Sequence, residues 1–298
     1  MQVLFSHENP YLYYSENSDM NTGDGKEEQA RRISAAPTGM REYLIRSFDN
    51  LGLAMNFARS EIRGSNAQTW LGYFINLVQI LLATAIYWLI FGVFLNVPTG
   101  EIPYPLFVLT GMIPWVYFSK LVQEGGNSLI SSKHLLSKIY FPRVILPISK
   151  ALPGLIDFGF ALIVALIIMI ASGMPVRMEM LMVFVFLLII VFSGIALGLW
   201  ISSISVRYRD LSRLIPYLIN FGFFLTPVFY PATVVPEQLE FILYINPAAF
   251  AIEGMRWALF GNAFPDVYYL ISLVPVTILF VWGWHNYRIK EKEYADII

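Results

Sequence analysis

The sequence predicts an all-α integral membrane protein: six transmembrane helices, an N-terminal amphipathic interface helix, and a re-entrant helix pair between spans five and six. Three observations carry this prediction. Hydrophobic residues make up 57% of the 298-residue chain and charged residues only 14%, whereas roughly a quarter of a typical soluble domain is charged. Uncharged runs long enough to cross a hydrocarbon core of about 30 Å recur along the chain. The basic residues are also divided very unevenly by those runs.

Taken in order, residues 1–37 alternate aromatic and polar stretches (YLYY, then SENSDMNTGDGKEEQ) without periodicity. They read as a flexible cytoplasmic arm. The start, MQVLFSHENP, lacks a basic region followed by an apolar core, so no cleaved secretory signal is expected. Residues 38–66 contain Leu44, Phe48, Leu51, Met55, Ala58 and Ile62 at alternating four- and three-residue steps, with Arg46, Asp49, Arg59 and Arg63 elsewhere on the wheel. That is an amphipathic helix suited to lie along the cytoplasmic interface.

The transmembrane domain is expected over 67–298, with spans at about 71–95, 102–121, 148–173, 180–204, 214–233 and 267–286. Prolines would kink the second, although neighbouring helices can satisfy the backbone groups they free. After the fifth span, PATVVPEQLEFILYINPAAFAIEGMRWALFGN (Pro231 to Asn262) is half apolar and cut by Asn246-Pro247. Two short helices that enter the outer leaflet and return fit it better than a seventh span. With these spans, every one of the twenty Lys and Arg except Arg177 and Arg256 falls on one side. The positive-inside rule then makes both termini cytoplasmic.

Several chemistries are excluded. There is no cysteine, hence no disulfide, thiolate metal site or thiol nucleophile. No G-x-x-x-x-G-K-[ST] is present, so the chain does not cradle a nucleotide by itself. His7, His134 and His285 fall in unrelated segments, and no carboxylate pair has an acid/base arrangement. No catalytic residue, metal ligand or cofactor is therefore expected in this chain, and a net charge of −1 gives no reason to expect nucleic acid. Asp157 is the ionisable group inside a span. It is read as a helix-to-helix contact to Lys150 or a neighbouring span, the alternative being a polar contact near a transport path. One aspartate is thin for a proton relay, so any transport would draw its energy from another polypeptide. Gly194 and Gly198 form a G-x-x-x-G that is assigned to helix packing.

The stretch SKHLLSKIYFPRVILP (Ser132 to Pro147) is basic and amphipathic within this apolar chain. Leu135, Leu136 and Ile139 form an apolar face with Lys133 and Lys138 off it, Pro142 stops the helix, and Pro147 begins the next climb. Such a helix can rest on anionic lipid through its lysines, or it can transmit a partner's movement into the two spans it joins.

Tyr104 to Phe158, which contains this stretch, resembles the signature region of type-2 ABC exporter permeases of the polysaccharide export group. That group comprises O-antigen (Wzm-like), capsule and teichoic acid permeases. SVRYRDL (Ser205 to Leu211), FFLTPVFYPATVVPE (Phe223 to Glu237), NPAAFAIEGMR (Asn246 to Arg256) and the terminal KEKEYADII agree with it. The likeness runs from about Arg41 to the C-terminus.

The resemblance implies a homodimeric, non-enzymatic permease in the bacterial inner membrane, surrounded by lipid, exporting a lipid-linked polysaccharide such as the O-antigen of lipopolysaccharide. Two copies of a separate ABC ATPase would bind the ATP and magnesium. The coupling contact would be Leu135, Leu136, Ser137, Lys138, Ile139, Tyr140, Phe141, Pro142 and Arg143, framed by Arg59, Glu61 and Arg63. Arg209 and Asp210 would lie at the cytoplasmic mouth. Glu253 and Arg256, three residues apart and so on one helix face, would brace the outer gate. Tyr73, Phe74, Tyr87, Phe221, Phe224, Phe229 and Tyr230 would line the conduit, since sugar C–H faces slide on rings without tight hydrogen bonds. Rings of this kind also form interfacial belts or fill helix contacts. The same fold could carry teichoic acid, a drug or a lipid, and a membrane-embedded enzyme acting on lipid-linked sugars is the alternative from another class.

Overall fold

The computed structural model describes residues 39–66, 71–133 and 141–297, which are helices, turns and connecting segments with no strand among them. The arm at 1–37 and the coupling residues Leu135 to Tyr140 lie outside the described residues, as do the side chains of Tyr73, Phe74 and Arg209.

The expected interface helix is two helices, α1 (Met40–Asp49) and α2 (Leu51–Asn66). Asn50 separates them, and its side-chain amide donates to the Arg46 carbonyl at 2.7 Å. Short polar side chains compete in this way with the helical ladder. Tyr43, Ala54 and Ala58 are buried against the rest of the protein, while Ile45, Phe48, Leu51 and Met55 stay exposed.

Five stretches among the described residues are long and apolar enough to cross a membrane: Ile75–Phe94, Tyr104–Ser131, Ile145–Ala171, Met178–Ser205 and Val267–Ile289. They are built on α3 (Leu71–Tyr87, continued by a π-helical turn Trp88–Phe94), α4 (Tyr104–Ser131), α5 (Ile145–Ser149) with α6 (Ala151–Ala171), α7 (Val183–Ser205) and, after a helical turn, α11 (Leu273–Ile297). Between them stand α8 (Arg209–Leu225), α9 (Glu240–Tyr244) and α10 (Pro247–Phe260).

Two boundaries differ from expectation, each for a physical reason. The second span does not end near 121 but continues to Ser131 as one 28-residue helix. Lys120 stays within it because its ammonium meets the Asp157 carboxylate at 2.8 Å. The segment expected to span over 214–233 divides: α8 has 17 residues and ends at Leu225, a length of about 25 Å. Thr226 then turns extended (φ −107°, ψ 137°), as the residue before a proline prefers. Thr226, Pro227, Val228 and Phe229 remain buried although they are not helical.

Helix α4 is the axis of the fold. Most of it is buried, whereas a much smaller share of each of the other four spanning stretches is buried. Close approach to α7 depends on missing side chains: a Cβ on Gly125 would lie 3.2 Å from the Gly198 Cα, and a Cβ on Gly194 only 2.6 Å from the Leu121 Cβ. The G-x-x-x-G of α7 thus packs on α4. In turn α10 rests on α7, where a Cβ on Gly254 would fall inside the Phe186 ring, 1.9 Å from its nearest carbon. Asn246 caps α10 by accepting from the Ala248 and Ala249 amides, and Gly261 (φ +74°) ends it. Overfilling a packed contact costs about 1–3 kcal/mol. Gly198→Leu is therefore expected to lower the unfolding midpoint of the detergent-solubilised protein clearly, while Gly159→Leu, where a Cβ meets nothing within 4 Å, leaves it unchanged.

Candidate functional site

The non-helical segment after α8 sets a definite problem, because backbone carbonyls buried in an apolar protein need donors. Arg256 of α10, 1% exposed, supplies two of them. Its Nη1 donates to the Pro227 carbonyl at 2.6 Å and to Glu253 Oε1 at 2.7 Å. Its Nη2 donates to the Val228 carbonyl at 2.6 Å and the Phe107 carbonyl at 3.2 Å. The planar guanidinium fork suits this divergent set of acceptors, and it lies 3.6 Å from the centre of the Phe107 ring, within cation–π range. The Tyr104 hydroxyl donates to the next carbonyl, that of Phe229. Asn246 Nδ2 donates to Thr226 Oγ1 at 2.8 Å, and Thr226 Oγ1 in turn donates to the Gly222 carbonyl at 2.7 Å. Gly111 makes room: a Cβ there would lie 2.5 Å from the Val228 oxygen and 2.7 Å from Arg256 Nη2.

The helical spacing of Glu253 and Arg256 had paired these two side chains, and the structure brings them together. The spacing did not reveal Tyr104, Phe107, Gly111 and Asn246, which complete the arrangement. A signal for them existed in TPVFYP, where two prolines in an uncharged stretch forbid a regular helix and leave carbonyls in search of donors.

A second polar arrangement joins α2, α3, α4 and α6. Asp157 Oδ2 accepts from Lys120 Nζ at 2.8 Å and from Asn76 Nδ2 at 3.0 Å. Lys150, one expected partner of Asp157, instead meets Glu61 Oε1 at 2.6 Å, so Glu61 is turned towards α5 and α6 while Arg59 and Arg63 remain exposed. Of the expected coupling stretch Leu135 to Arg143, the described residues are the last three. Phe141, Pro142 and Arg143 are buried within the protein, and Phe141 packs on Phe57 of α2 with ring centres 5.3 Å apart. At the start of α8, Asp210 is exposed and lies 3.7 Å from Arg213, a partner not foreseen.

The expected conduit aromatics also separate. Phe229, 6% exposed, is an inward hub that meets Tyr87, Phe91 and Phe223 with ring centres 5.1, 4.8 and 5.4 Å away. Tyr87 is half-buried against it, and Tyr230 is half-buried with its hydroxyl donating to the Phe224 carbonyl at 3.1 Å. Phe221 and Phe224 are exposed, and so is Tyr217.

Residues 58–260 match the family model of the ABC-2 type transporter, and the chain belongs to that family. It is a multi-pass membrane protein. Among its relatives, the O-antigen export system permease protein RfbA of Myxococcus xanthus is 26% identical over 252 residues, 83% of this chain and 95% of that protein. An O-antigen export system permease protein RfbA of Klebsiella pneumoniae is 28% identical over 232 residues, 76% of this chain and 87% of that one. The polysialic acid transport protein KpsM of Escherichia coli is 23% identical over 207 residues, covering 68% and 80%.

Removing one side of a buried charge pair costs about 3–5 kcal/mol. Arg256→Met, which strips donors from three carbonyls and leaves Glu253 unpaired, is expected to destabilise the folded protein by that amount in chemical unfolding. Arg256→Lys is expected to recover only part of the loss, because one ammonium cannot reach both edges of the fork.

Proposed function

We propose that this chain is the membrane permease of an ABC exporter that moves a lipid-linked polysaccharide, O-antigen or a similar cell-surface glycan, outwards from the cytoplasmic side. The observation that carries this reading is kinship along most of the chain to permeases named for O-antigen export and polysialic acid transport, within a transporter family. A separate ABC ATPase, in two copies, would bind ATP and magnesium and drive a homodimer of this chain in the inner membrane. This subunit would contribute the path and no catalysis.

The membrane topology is part of the same proposal. Five spans and α8 with its buried continuation make six crossings, with both termini cytoplasmic. The exposed Ile45, Phe48, Leu51 and Met55 suit α1 and α2 to the lipid interface. Helices α9 and α10, of 5 and 14 residues, are too short to cross and suit a re-entrant pair. Glu253 and Arg256 would then hold the outer end of the path in one shape.

On the inner side, the contact offered to the ATPase is Leu135 to Arg143, framed by Arg59, Glu61 and Arg63. Phe141 packs on Phe57 of α2 and Glu61 pairs with Lys150, so a push on this contact would reach the spans. Arg209 and Asp210 belong to the mouth.

Copurification tests the reading directly. Affinity capture of this chain from its native membrane is expected to bring down a P-loop ATPase in about equal amount, and capture without one would contradict the proposal. Lys138→Glu is expected to insert normally but lose most of that ATPase and of glycan export.

A further inference from the structure

Glu124 of α4 is a carboxylate short of a donor. It is half-buried, and its Oε2 is sealed from solvent with no hydrogen-bond partner among the described residues. It lies within electrostatic reach of Lys120, Lys150, Glu61 and Asp157, so it belongs to the polar centre that joins α2, α4 and α6. Both ammoniums there are already committed, Lys120 to Asp157 and Lys150 to Glu61. Three carboxylates therefore share two lysines, and Glu124 is left over. A sealed acceptor without a donor is unfavourable, which points to a second arrangement in which it is satisfied.

Only one exchange serves Glu124 without stranding another buried charge. Were Lys120, one turn before it on α4, to turn to Glu124, it would leave Asp157, whose side chain is 13% exposed, with Asn76 as its remaining donor. Were Lys150 to turn instead, it would leave Glu61, whose side chain is 31% exposed and open to water. Lys150 is itself 15% exposed, so it needs an acceptor on one side or the other. Its position suits both. It stands at the junction of α5 and α6, and α5 packs against α2, which carries Glu61, and against α4, which carries Glu124. An ammonium has three donors on a flexible four-carbon stem, which suits it to change partner.

We propose that Glu124 is the spare acceptor of a two-position ion pair. Lys150 passes from Glu61 to Glu124 when α2 is displaced, and the tie of α5 and α6 moves from α2 to the axial helix α4. Networks with two discrete pairings can carry a movement from one place to another. That an ATPase supplies the displacement rests on the function proposed above, but the two-position pair does not.

Chemical unfolding of the solubilised full chain tests the pair without reference to transport. Glu124→Gln is expected to leave the unfolding midpoint unchanged or raise it, because no bond is lost at rest. Glu61→Gln is expected to lower it slightly, since Lys150 then turns to Glu124. The double variant strands Lys150 and is expected to lose clearly more than the two single variants together, as coupled sites do. Additive effects would mean that Glu124 never receives Lys150. A lowered midpoint in Glu124→Gln alone would mean that Glu124 is already bonded at rest. Either result would overturn the proposal.

The handover during transport is read separately, in the complete transporter with its ATPase in membranes. Glu124→Gln is expected to slow glycan export roughly tenfold, within the usual range of coupling between sites, with the ATPase bound in normal amount. Full export by that variant would refute the handover. A wild-type complex that exports no glycan would instead refute the function and leave the unfolding result standing.

Discussion

A buried arginine holds together the one part of this membrane protein whose backbone is not a helix. Where α8 stops at Leu225, the next four residues stay inside the protein and present carbonyls that no helix satisfies. Arg256 and Tyr104 donate to three of them in succession. The same guanidinium reaches the Phe107 carbonyl on α4 and the carboxylate of Glu253, so α4, α10 and the end of α8 share a single point of attachment. A lone guanidinium in an apolar interior would be strongly unfavourable. Here it is stabilised by its acceptors, and each acceptor is satisfied in return. Phe229, fixed by its own carbonyl, then becomes the ring around which Tyr87, Phe91 and Phe223 pack.

At the other polar centre, charges tie helices together in pairs. Glu61 and Lys150 link α2 to the base of α6, and Lys120, Asn76 and Asp157 link α4, α3 and α6. A force applied beside α2 can therefore pass through α6 to the axial helix. Such a division, firm at one end and tied by separate ion pairs at the other, suits a permease driven by an external motor. Between the two ends, α3 and α8 present outward faces that mix rings and aliphatic groups.

Much of this was legible in the sequence, since uncharged runs of spanning length leave a long apolar helix few alternatives. That Glu253 and Arg256 share a helix face followed from their three-residue spacing. What escaped needed a partner distant in sequence. Lys120 looked like the end of a span because its counter-charge, Asp157, lies thirty-seven residues away. Phe229 and Phe221 are alike as letters, yet one is the hub of a cluster and the other is exposed, a distinction set by the chain's turn at Thr226 and Pro227. Phe141 to Arg143 continue a basic, amphipathic stretch without any local sign that they will be buried, Phe141 against Phe57 of α2. In each case a residue's neighbours, rather than its type, decided its role.

The dependence of the segment after α8 on Arg256 is open to direct measurement by hydrogen–deuterium exchange in lipid. Peptides covering residues 222–232 would be followed in the wild-type protein and in Arg256→Met, with peptides from α6 as an internal reference. The account predicts slow exchange in the wild type and a marked, local acceleration in the variant while α6 stays protected. Equally slow exchange of that segment in both proteins would contradict it, because the backbone would then be held by something other than the arginine.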